Sequence, residues 1–548
     1  MTFTELVKDY IKNNKRIFTA YVSVCCLVYM VKVLLTSFAY SRMFDEKEKF
    51  ANVIKEICMV WILLCILYVL KLRVETILIP DFLSFIRKKL FSNYIKNNEH
   101  RFNDTDVSSD LNKIIEVTRN IRDVFQWIFG TFVPTVILMG TINAFFLYKY
   151  PKIGMVMMIG NTVNYNIIKS FAPSLIHSAN IREDEFLKML GKLDENFNNL
   201  MNIFLNDKSD ATIKENEEIE AQYTNIYRNQ NKELESFGTK LKANNYMFAF
   251  ISLWILYKSS PSHKDFINGL LVFTFYLSTL ENMAEDIPFS IMTLGNIENI
   301  EDSLKAKDPN HIMIQPIYAH ENDKKKGLTS LKGDIEFKNI YFRYDEKRPY
   351  VLDNFSLKIP AGDKVAIVSQ SGFGKSTSMK LLLGFYRQEK GQILLDGVPL
   401  SDYKINDVRA RINYINQRTL LFNATVMNNL KYGNTKTDEQ ILSLLKKYDL
   451  LKILCKDNVN CLDKIVDKNG TNISMGMQKV IFLVRGILKN NVSVYIFDEP
   501  LTSIDPSTRG QVLDMIKNET EGKTVIIITH DKEVNKIVNR TVELTKKE

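Results

Sequence analysis

The chain has 548 residues, 46% of them hydrophobic, and carries a formal net charge of +9. This length exceeds what one hydrophobic core supports, so we expect two or three domains. Lysine and arginine residues are spread along the chain without a basic stripe, which argues against nucleic acid as a partner and favours contact with a lipid membrane. Apolar residues crowd into the part before residue 310 and become sparser after it, so the membrane part is expected first and a soluble part second.

The cysteines predict neither a disulfide framework nor a metal site. Four of the six lie in apolar runs, while Cys455 and Cys461 have no histidine or cysteine neighbour at metal-ligand spacing. We therefore expect the cysteines to be small, buried, unpaired hydrophobic residues.

Six apolar stretches could form helices that cross a bilayer, which takes about 20 residues each. They cover residues 17–40, 53–79, 125–148, 153–172, 246–257 and 266–287. Polar residues such as Lys32, Asn164 and Asn166 interrupt them, and a buried helix of a soluble protein has a similar pattern. The connection lengths favour membrane helices, because three short connections alternate with two long polar ones.

The two long polar connections, 80–124 and 173–245, have the apolar spacing of helices. They predict that helices continue out of the bilayer into the cytosol. Basic residues near the N-terminus, among them Lys15 and Arg16, place that end inside. Lys32 and Glu281 are candidates for a water-lined path across the membrane, since charge is costly in lipid; local pairing is the alternative.

A phosphate-binding loop follows the strand VAIV in the C-terminal part. Residues 369–377 read SQSGFGKST, and a helix follows; Ser369 stands where the usual pattern has glycine. Glycines let backbone amides approach phosphates, Lys375 supplies charge for the β- and γ-phosphates, and Ser376 is a candidate ligand of Mg²⁺. The candidate ATP-binding residues are Gly372, Gly374, Lys375, Ser376 and Thr377.

A second nucleotide motif is the strand VYIFDEP, which ends in Asp498 and Glu499. Such a strand delivers carboxylates to one edge of a parallel sheet. We predict that Asp498 binds Mg²⁺ through water and that Glu499 polarises the attacking water. Gln417 and His530 are catalytic candidates that sense the γ-phosphate, and Gln417 is also a candidate Mg²⁺ ligand. His530 follows another apolar strand, VIIITH, that ends at the same edge.

The order of these motifs resembles that of ATP-binding-cassette (ABC) half-transporters of the exporter type, subfamily B, over nearly the whole chain. The resemblance implies an α-helical six-span transmembrane domain followed by an α/β P-loop nucleotide-binding domain. We expect these at residues 1–310 and 333–548, with a linker at 311–332. It also implies that Tyr344 stacks on adenine and that Asp505 lies in the D-loop, which contacts a dimer partner.

The family's LSGGQ element corresponds to ISMGM, which keeps Ser474 and Gly476 but has Met475 and Met477 where glycine and glutamine are usual. In the family, the retained serine and glycine close over the ATP bound by the opposite subunit. The resemblance therefore implies two ATP sites shared across a dimer. A homodimer is expected, and a heterodimer stays open because Met475 adds a side chain at a crowded approach.

Within the family, LDENFNNLMNIFLND and LLFNATVMNNLKYGN look most like the mitochondrial-type exporters linked to iron–sulfur assembly and heavy-metal tolerance. Those relatives carry an arginine cluster for glutathione-like cargo. Here the corresponding segment is PSLIHSAN, in which His177 is the basic residue. The resemblance thus leaves the cargo unidentified.

The expected function is ATP-driven export of a small molecule or peptide across a membrane by alternating access. The chain would be a multi-pass membrane protein with its nucleotide-binding domain in the cytosol or the matrix. Two alternatives stay open. One is a regulatory half-subunit that binds ATP but hydrolyses it poorly, and the other is a soluble ATPase, against which the six apolar stretches argue.

Overall fold

The computed structural model describes most of the chain. The described residues are 3–44, 50–97, 107–260, 263–304, 325–345, 347–368, 373–416, 420–455, 459–467 and 470–544. The chain divides into two compact units that part near residue 307.

The first unit is helical. Its α-helices are α1 (Phe3–Asn13), α2 (Lys15–Met30), α3 (Thr36–Ser41), α4 (Phe50–Asn97), α5 (Val107–Trp127), α6 (Val133–Lys149), α7 (Pro151–Asn198), α8 (Leu200–Leu205), α9 (Ser209–Ser259) and α10 (His263–Leu304). Short π-helical segments, Val31–Leu35 and Ile128–Phe132, join α2 to α3 and α5 to α6. The 48 residues of α7 and the 51 of α9 are far longer than a bilayer crossing requires. At 1.5 Å per residue each helix is roughly 70 Å long, so each has room for a polar extension beyond the lipid.

Three helical segments are long and apolar enough to cross a membrane, within the described ranges. They are Lys15–Ser41, Phe50–Ile95 and Ile114–Lys149. The second exposes large apolar side chains, including Met59, Trp61 and Ile62, as a lipid-facing helix does. The other three predicted spans lie inside α7, α9 and α10, which carry more polar residues, so the count of six stays a prediction.

The second unit combines two sheets with short helices. Its strands are β1 (Ile335–Phe342), β2 (Leu352–Ile359), β3 (Lys364–Val368), β4 (Lys390–Leu395), β5 (Val398–Pro399), β6 (Ile412–Ile415), β7 (Val494–Asp498), β8 (Thr524–Ile528) and β9 (Arg540–Glu543). Its helices are α11 (Lys375–Leu382), α12 (Ile405–Arg411), α13 (Val426–Lys431), α14 (Asp438–Lys447), α15 (Leu451–Cys455), α16 (Met475–Ile487) and α17 (Pro506–Glu519).

The larger sheet has the strand order β6-β7-β8-β3-β9, and all its pairs are parallel. Neighbouring residues of a strand point to opposite faces of the sheet. Its central strands β7 and β8 are buried at every position, so both faces of the sheet are covered. Val494 and Ile496 of β7 pack toward the second sheet, whereas Tyr495 and Phe497 pack toward the helices around α16. The second sheet, in the order β2-β1-β4-β5, is antiparallel. The predicted α/β domain is therefore confirmed, with an antiparallel sheet added to the parallel one.

The expectation for the cysteines is wrong in two respects. Cys455 and Cys461 form a disulfide, with their Cα atoms 5.4 Å apart. The end of α15 and the following 3-10 turn, Val459–Asp463, bring these thiols together, a proximity that their sequence spacing did not indicate. Cys58 and Cys65 are exposed on α4 rather than buried, because that face of α4 points outward.

Candidate nucleotide-binding site

The candidate site lies where three parallel strands end side by side. β8 is hydrogen-bonded to β7 on one side and to β3 on the other. Ile528 is in register with Ile367 of β3 and with Asp498 of β7, so the segments after these strands emerge together. This edge of an open parallel sheet is where ligands bind in such folds. It gathers the candidate residues that the sequence places more than a hundred positions apart.

The phosphate-binding loop leads from β3 into α11. Gly374 has φ +72°, and a Cβ there would lie 2.5 Å from Leu352 Cδ2, so glycine is required for both conformation and space. Lys375 begins α11, and the first backbone amides of a helix are suited to binding an anion such as a phosphate. Burial lowers the pKa of Lys375, while Glu499 and Asp498 oppose that shift. The predicted Gly372 lies outside the described residues, as does the unusual Ser369.

Asp498 is buried at the end of β7 and has two hydroxyl neighbours. Its Oδ2 accepts a 2.7 Å hydrogen bond from the Tyr414 hydroxyl and lies 3.5 Å from Ser376 Oγ. Burial and the adjacent carboxylate raise the pKa of Tyr414, so this phenol stays a donor at neutral pH. The two predicted Mg²⁺ ligands, Ser376 and Asp498, are therefore neighbours. The third, Gln417, lies outside the described residues.

Glu499 has a left-handed backbone, with φ +50°, which is uncommon for a residue with a side chain. Its amide donates to the carbonyl of Ile528, so the backbone turns toward β8 directly after Asp498. Thr529 Oγ1 donates a 3.0 Å hydrogen bond to Glu499 Oε2, and Thr502 Oγ1 lies 3.5 Å from the same oxygen. The carboxylate is thus held by hydroxyl groups from two loops.

Lys479 of α16 is a buried cation beside these acids, with 6% of its surface exposed. Its Nζ donates a 3.1 Å hydrogen bond to the backbone carbonyl of Asp498. Burial lowers the pKa of Lys479 to about 8, and the charges of Asp498 and Glu499 oppose the shift. A buried lysine is therefore hydrogen-bonded to the backbone at the end of β7, next to the two carboxylates.

His530 follows the buried Thr529 and is exposed at the end of β8. This places it at the predicted sheet edge, one residue beyond the threonine that holds Glu499. It is open to a ligand or to another chain.

Tyr344 and Thr377, both predicted to contact ATP, are hydrogen-bonded to each other at 2.9 Å. The Tyr344 ring packs edge-on against Phe342 and Tyr386, with centroids 5.0 and 5.3 Å apart. The half-buried ring is therefore fixed beside α11.

The altered signature element forms the first turn of α16. Ser474 caps this helix by accepting a hydrogen bond from the Met477 amide. Met475 is 70% exposed, whereas Met477 packs partly into the helical core. A Cβ at Gly476 would lie 2.9 Å from the Ser503 carbonyl, so this glycine is needed for close approach.

The predicted D-loop precedes α17. Ser503 has φ +66°, and Asp505 is the exposed N-cap of α17 without a side-chain capping bond. Its carboxylate is therefore not committed to capping the helix. The segment packs against Gly476 of the same chain and leaves Asp505 at the surface.

Three residues around the two carboxylates were not predicted from the sequence: Tyr414, Lys479 and Thr529. Thr529 directly precedes the predicted His530, so the end of the strand VIIITH carried a signal. Tyr414 lies on a strand that pairs with β7, a pairing that the sequence did not indicate. Lys479 is the single lysine of the apolar helix α16. A buried cation needs a polar partner, so a lysine in such a helix was a sequence signal for a nearby carboxylate or carbonyl.

Comparison with known proteins identifies the second unit. Residues 352–502 match the family model of the ABC transporter, so this unit contains an ABC transporter domain, which binds ATP. An ATP-dependent lipid A-core flippase from Haemophilus influenzae is 34% identical over 201 residues, 36% of this chain and 34% of that protein. The mitochondrial iron-sulfur clusters transporter ATM1 from Debaryomyces hansenii is 33% identical over 258 residues, 46% of this chain and 35% of that protein.

The fold of the whole chain has a solved counterpart. It matches a bacterial Atm1-family ABC exporter with ATP bound at a TM-score of 0.83 and 17% identity, covering 96% of this chain and 94% of the other. Together with the sequence matches, this confirms the resemblance to ABC transporters and the predicted fold class, a helical unit followed by an α/β nucleotide-binding unit; the number of spans stays a prediction. A further flippase, from Pseudoalteromonas translucida, matches at 32% identity over 51% of this chain and 47% of its own length. The matches thus cover between a third and a half of the length of these curated relatives.

Proposed function

We propose that this chain is half of a dimeric exporter that moves an amphiphilic cargo across a membrane by binding and hydrolysing ATP. The observation that carries the proposal is the convergence of Lys375, Asp498 and Glu499 at one sheet edge, in a chain whose other unit has membrane-length apolar helices. Helices with so much exposed apolar surface are unfavourable in water, which argues against a soluble ATPase.

Each residue of the edge has a role in this proposal. Lys375 and the first amides of α11 hold the phosphates, and the Tyr344 ring takes the adenine. Glu499, held by Thr529, orients the attacking water as general base. His530 stabilises the γ-phosphate from the next strand end.

Magnesium fits this edge because a hydroxyl and a carboxylate oxygen, the ligand types it prefers, are adjacent at Ser376 and Asp498. Bound there with ATP, it would neutralise charge on the β- and γ-phosphates. Tyr414 keeps Asp498 oriented by its hydrogen bond to Oδ2.

The site needs a second copy of the chain in this proposal. Ser474 is the N-cap of α16 and Asp505 is the N-cap of α17, and both residues are exposed. These residues, with Gly476, cover the ATP held by the partner, and the partner does the same in return. The similarity to an Atm1-family exporter with ATP bound supports ATP as the ligand of the site, and the similarity to lipid A-core flippases supports a lipid-like cargo. The chain would be a multi-pass membrane protein with the ATPase unit in the cytosol or matrix.

The test is Mg²⁺-dependent ATP hydrolysis by the purified chain in lipid nanodiscs. We expect turnover to fall at least a hundredfold in Glu499→Gln and in Lys375→Ala. Lys364→Ala is the matched control, because Lys364 begins β3 at the opposite end of the sheet and donates to the Lys517 carbonyl. Glu499→Gln should still bind ATP and should form a stable dimer with it.

A regulatory half-subunit is the second candidate, and the exposed Met475 at the start of α16 favours it. It predicts ATP binding without turnover in the isolated chain. Turnover that is absent alone but restored by a second half-transporter would replace the homodimer by this alternative. Turnover that is equal in Glu499→Gln and in the unmodified chain would overturn the proposed site.

A further inference from the structure

The first unit contains a cavity of about 420 Å³ between the segment 132–143, α7, α9 and α10. Its size lies in the range of small-molecule sites. Its polar wall is formed by Asn143, Asn161, Asn164, Tyr165 and Asn245, and every other lining residue is apolar. The cavity thus has a polar side that can form hydrogen bonds and an apolar side.

Part of the polar wall is held together by its own hydrogen bonds. Asn164 donates to the Asn245 side chain over 2.7 Å and accepts from Asn244 over 2.9 Å. Asn244 also donates to the Gly160 carbonyl, so α7 and α9 are linked by amides. Amides that join helices in lipid commonly serve packing alone, and these three amides do so.

Three other polar groups of the wall, on Asn143, Asn161 and Tyr165, have an atom without a hydrogen-bond partner among the described residues. The Asn143 Oδ1 is shielded from solvent and has no hydrogen-bond partner among the described residues. The Asn161 Oδ1 accepts from the Tyr276 hydroxyl over 2.8 Å, which leaves the Asn161 amide nitrogen without a described acceptor. The hydroxyl of Tyr165, a residue that is 63% exposed, also makes no hydrogen bond within the described ranges. The shielded Asn143 oxygen is out of a ligand's reach. The Asn161 amide, a donor, and the Tyr165 hydroxyl, a donor and an acceptor, are therefore available to a ligand.

No charged side chain lines this cavity within the described part of the chain. Glu281 and Glu285 are next to lining residues on α10 but bind elsewhere, Glu281 to the Tyr246 hydroxyl and Glu285 to Lys242 at 2.7 Å. Lys32 is exposed and does not line it. An anionic or cationic ligand would be left without a counter-charge, which is unfavourable away from water.

We propose that this cavity binds the cargo and selects an uncharged amphiphile whose polar end carries hydroxyl groups. The inference rests on the proposed function for its assignment of a cargo. A hydroxyl both donates and accepts, so it can donate to the Tyr165 oxygen and accept from the Asn161 amide or from the Tyr165 hydroxyl. The apolar remainder of the ligand then contacts the apolar side of the cavity, which includes Met139 and Ile168. A carboxylate or phosphate at the same place would only accept, and its charge would be unpaired.

The test compares two probes that differ by one charge: tritiated octyl β-glucoside, and octyl β-glucuronide, in which a carboxylate replaces the hydroxymethyl group. Binding is measured without nucleotide on the full chain in nanodiscs, below micelle-forming concentrations, and empty nanodiscs are subtracted. We expect saturable binding of the glucoside at one site per chain, at least tenfold tighter than the glucuronide.

Three variants locate the binding. Tyr165→Phe removes one exposed hydroxyl and should weaken glucoside binding three- to tenfold without affecting folding. Asn161→Leu should abolish it, although that change also removes the 2.8 Å hydrogen bond that the Tyr276 hydroxyl donates. Asn166→Leu is the control, because Asn166 is exposed on the same helix and does not line the cavity.

Equal binding of both probes, or glucoside binding that is unchanged in both Tyr165→Phe and Asn161→Leu, would overturn the proposal. ATP hydrolysis in the same nanodiscs separates this result from the proposed function. Normal hydrolysis without selective glucoside binding rejects the cargo class alone. Selective binding that the variants weaken, in a chain without turnover, supports the cavity and rejects the self-sufficient pump.

Discussion

Lys479 and Asp498 are joined by a hydrogen bond of 3.1 Å from the buried ammonium to the backbone carbonyl. The lysine therefore fixes the strand end that carries both carboxylates and places a positive charge next to them. We expect Lys479→Met to lower ATP turnover about tenfold or more, since a lost hydrogen bond to a charged group is worth about 1.5–3 kcal/mol.

Lys479→Gln separates the two contributions, because glutamine keeps a donor and removes the charge. We expect its turnover to lie between that of the Met variant and the unmodified chain. Lys489→Met is the control: Lys489 is also largely buried and donates to the Arg409 and Ile412 carbonyls, away from the carboxylates. Similar losses of turnover in the Lys479→Met and Lys489→Met chains would mean that the effect is only one of folding.

The depressed pKa of Lys479 also predicts a pH dependence of stability. Its pKa is about 8 in the folded chain, below the ordinary value of 10.5. Between these pH values the unfolded chain binds a proton that the folded chain has lost, so stability rises with pH. Thermal unfolding without nucleotide should show the unmodified chain gaining stability from pH 8 to pH 10 relative to Lys479→Met. A constant difference would show that the lysine keeps its ordinary pKa.

The hydrogen bond from Thr529 to Glu499 predicts a second loss of turnover. Thr529→Val keeps the shape and removes the donor, so the carboxylate loses its 3.0 Å partner. We expect turnover to fall about tenfold, as one hydrogen bond to a charged group suggests, with little change in the KM for ATP. Thr529→Ser should restore most of it.

Thr520→Val is the matched control for Thr529, because Thr520 is also buried but donates to the Ile516 carbonyl within α17. A loss of ATP affinity rather than turnover in Thr529→Val would assign this residue to nucleotide binding instead.

The sequence predicted the parts of the site that stand next to one another in the chain. Lys375 and Ser376 were identified because a glycine loop precedes them, and Asp498 and Glu499 because an apolar strand leads into them. Tyr414 was not identified, since its role depends on β6 pairing with β7 across about eighty intervening residues. Long-range pairing is set by the whole fold and leaves no local pattern.

The same limit applies to the first unit. Interruptions such as Asn164 were visible in the predicted spans, but they were interpreted only as polar breaks. The structure brings Asn164 together with Asn244 and Asn245 from α9, because two long helices pack along each other. Attention to charge singled out Lys32 and Glu281, which do not line the cavity. Neutral amides are weaker sequence signals than charges, although they bond readily between helices.

The exposed Met475 predicts a gain of activity on substitution. It is the first residue of α16, and its side chain projects from the surface that the proposed dimer closes over ATP. Met475→Gly should raise turnover severalfold or lower the KM for ATP, because backbone amides can then approach the partner's phosphates. Ser507→Ala is the control, because Ser507 is exposed on α17 in the same unit. Lower turnover in Met475→Gly would show that methionine contributes a contact of its own.

Gly476 predicts the opposite outcome, and the structure gives the reason. A Cβ at this position would lie 2.9 Å from the Ser503 carbonyl oxygen, closer than real contacts allow. Ser503 already has φ +66°, so its loop has little freedom to move without strain. Gly476→Ala should therefore displace the segment that leads to Asp505, and we expect turnover to fall more than tenfold, while overpacking lowers stability by about 1–3 kcal/mol.

Gly510→Ala is the control for this displacement. Gly510 lies within α17, and a Cβ there would meet nothing within 4 Å. Alanine favours a helix over glycine, so this variant should be more stable by about 0.5–1 kcal/mol and should keep its turnover. The contact between Gly476 and Ser503 does not involve the phosphate-binding loop. We therefore expect the Gly476→Ala chain still to bind ATP, while its hydrolysis, which requires a dimer in the proposed function, falls. Turnover that is equal in the two alanine variants would show that Ser503 can retreat, and would remove this contact from the coupling between α16 and the D-loop.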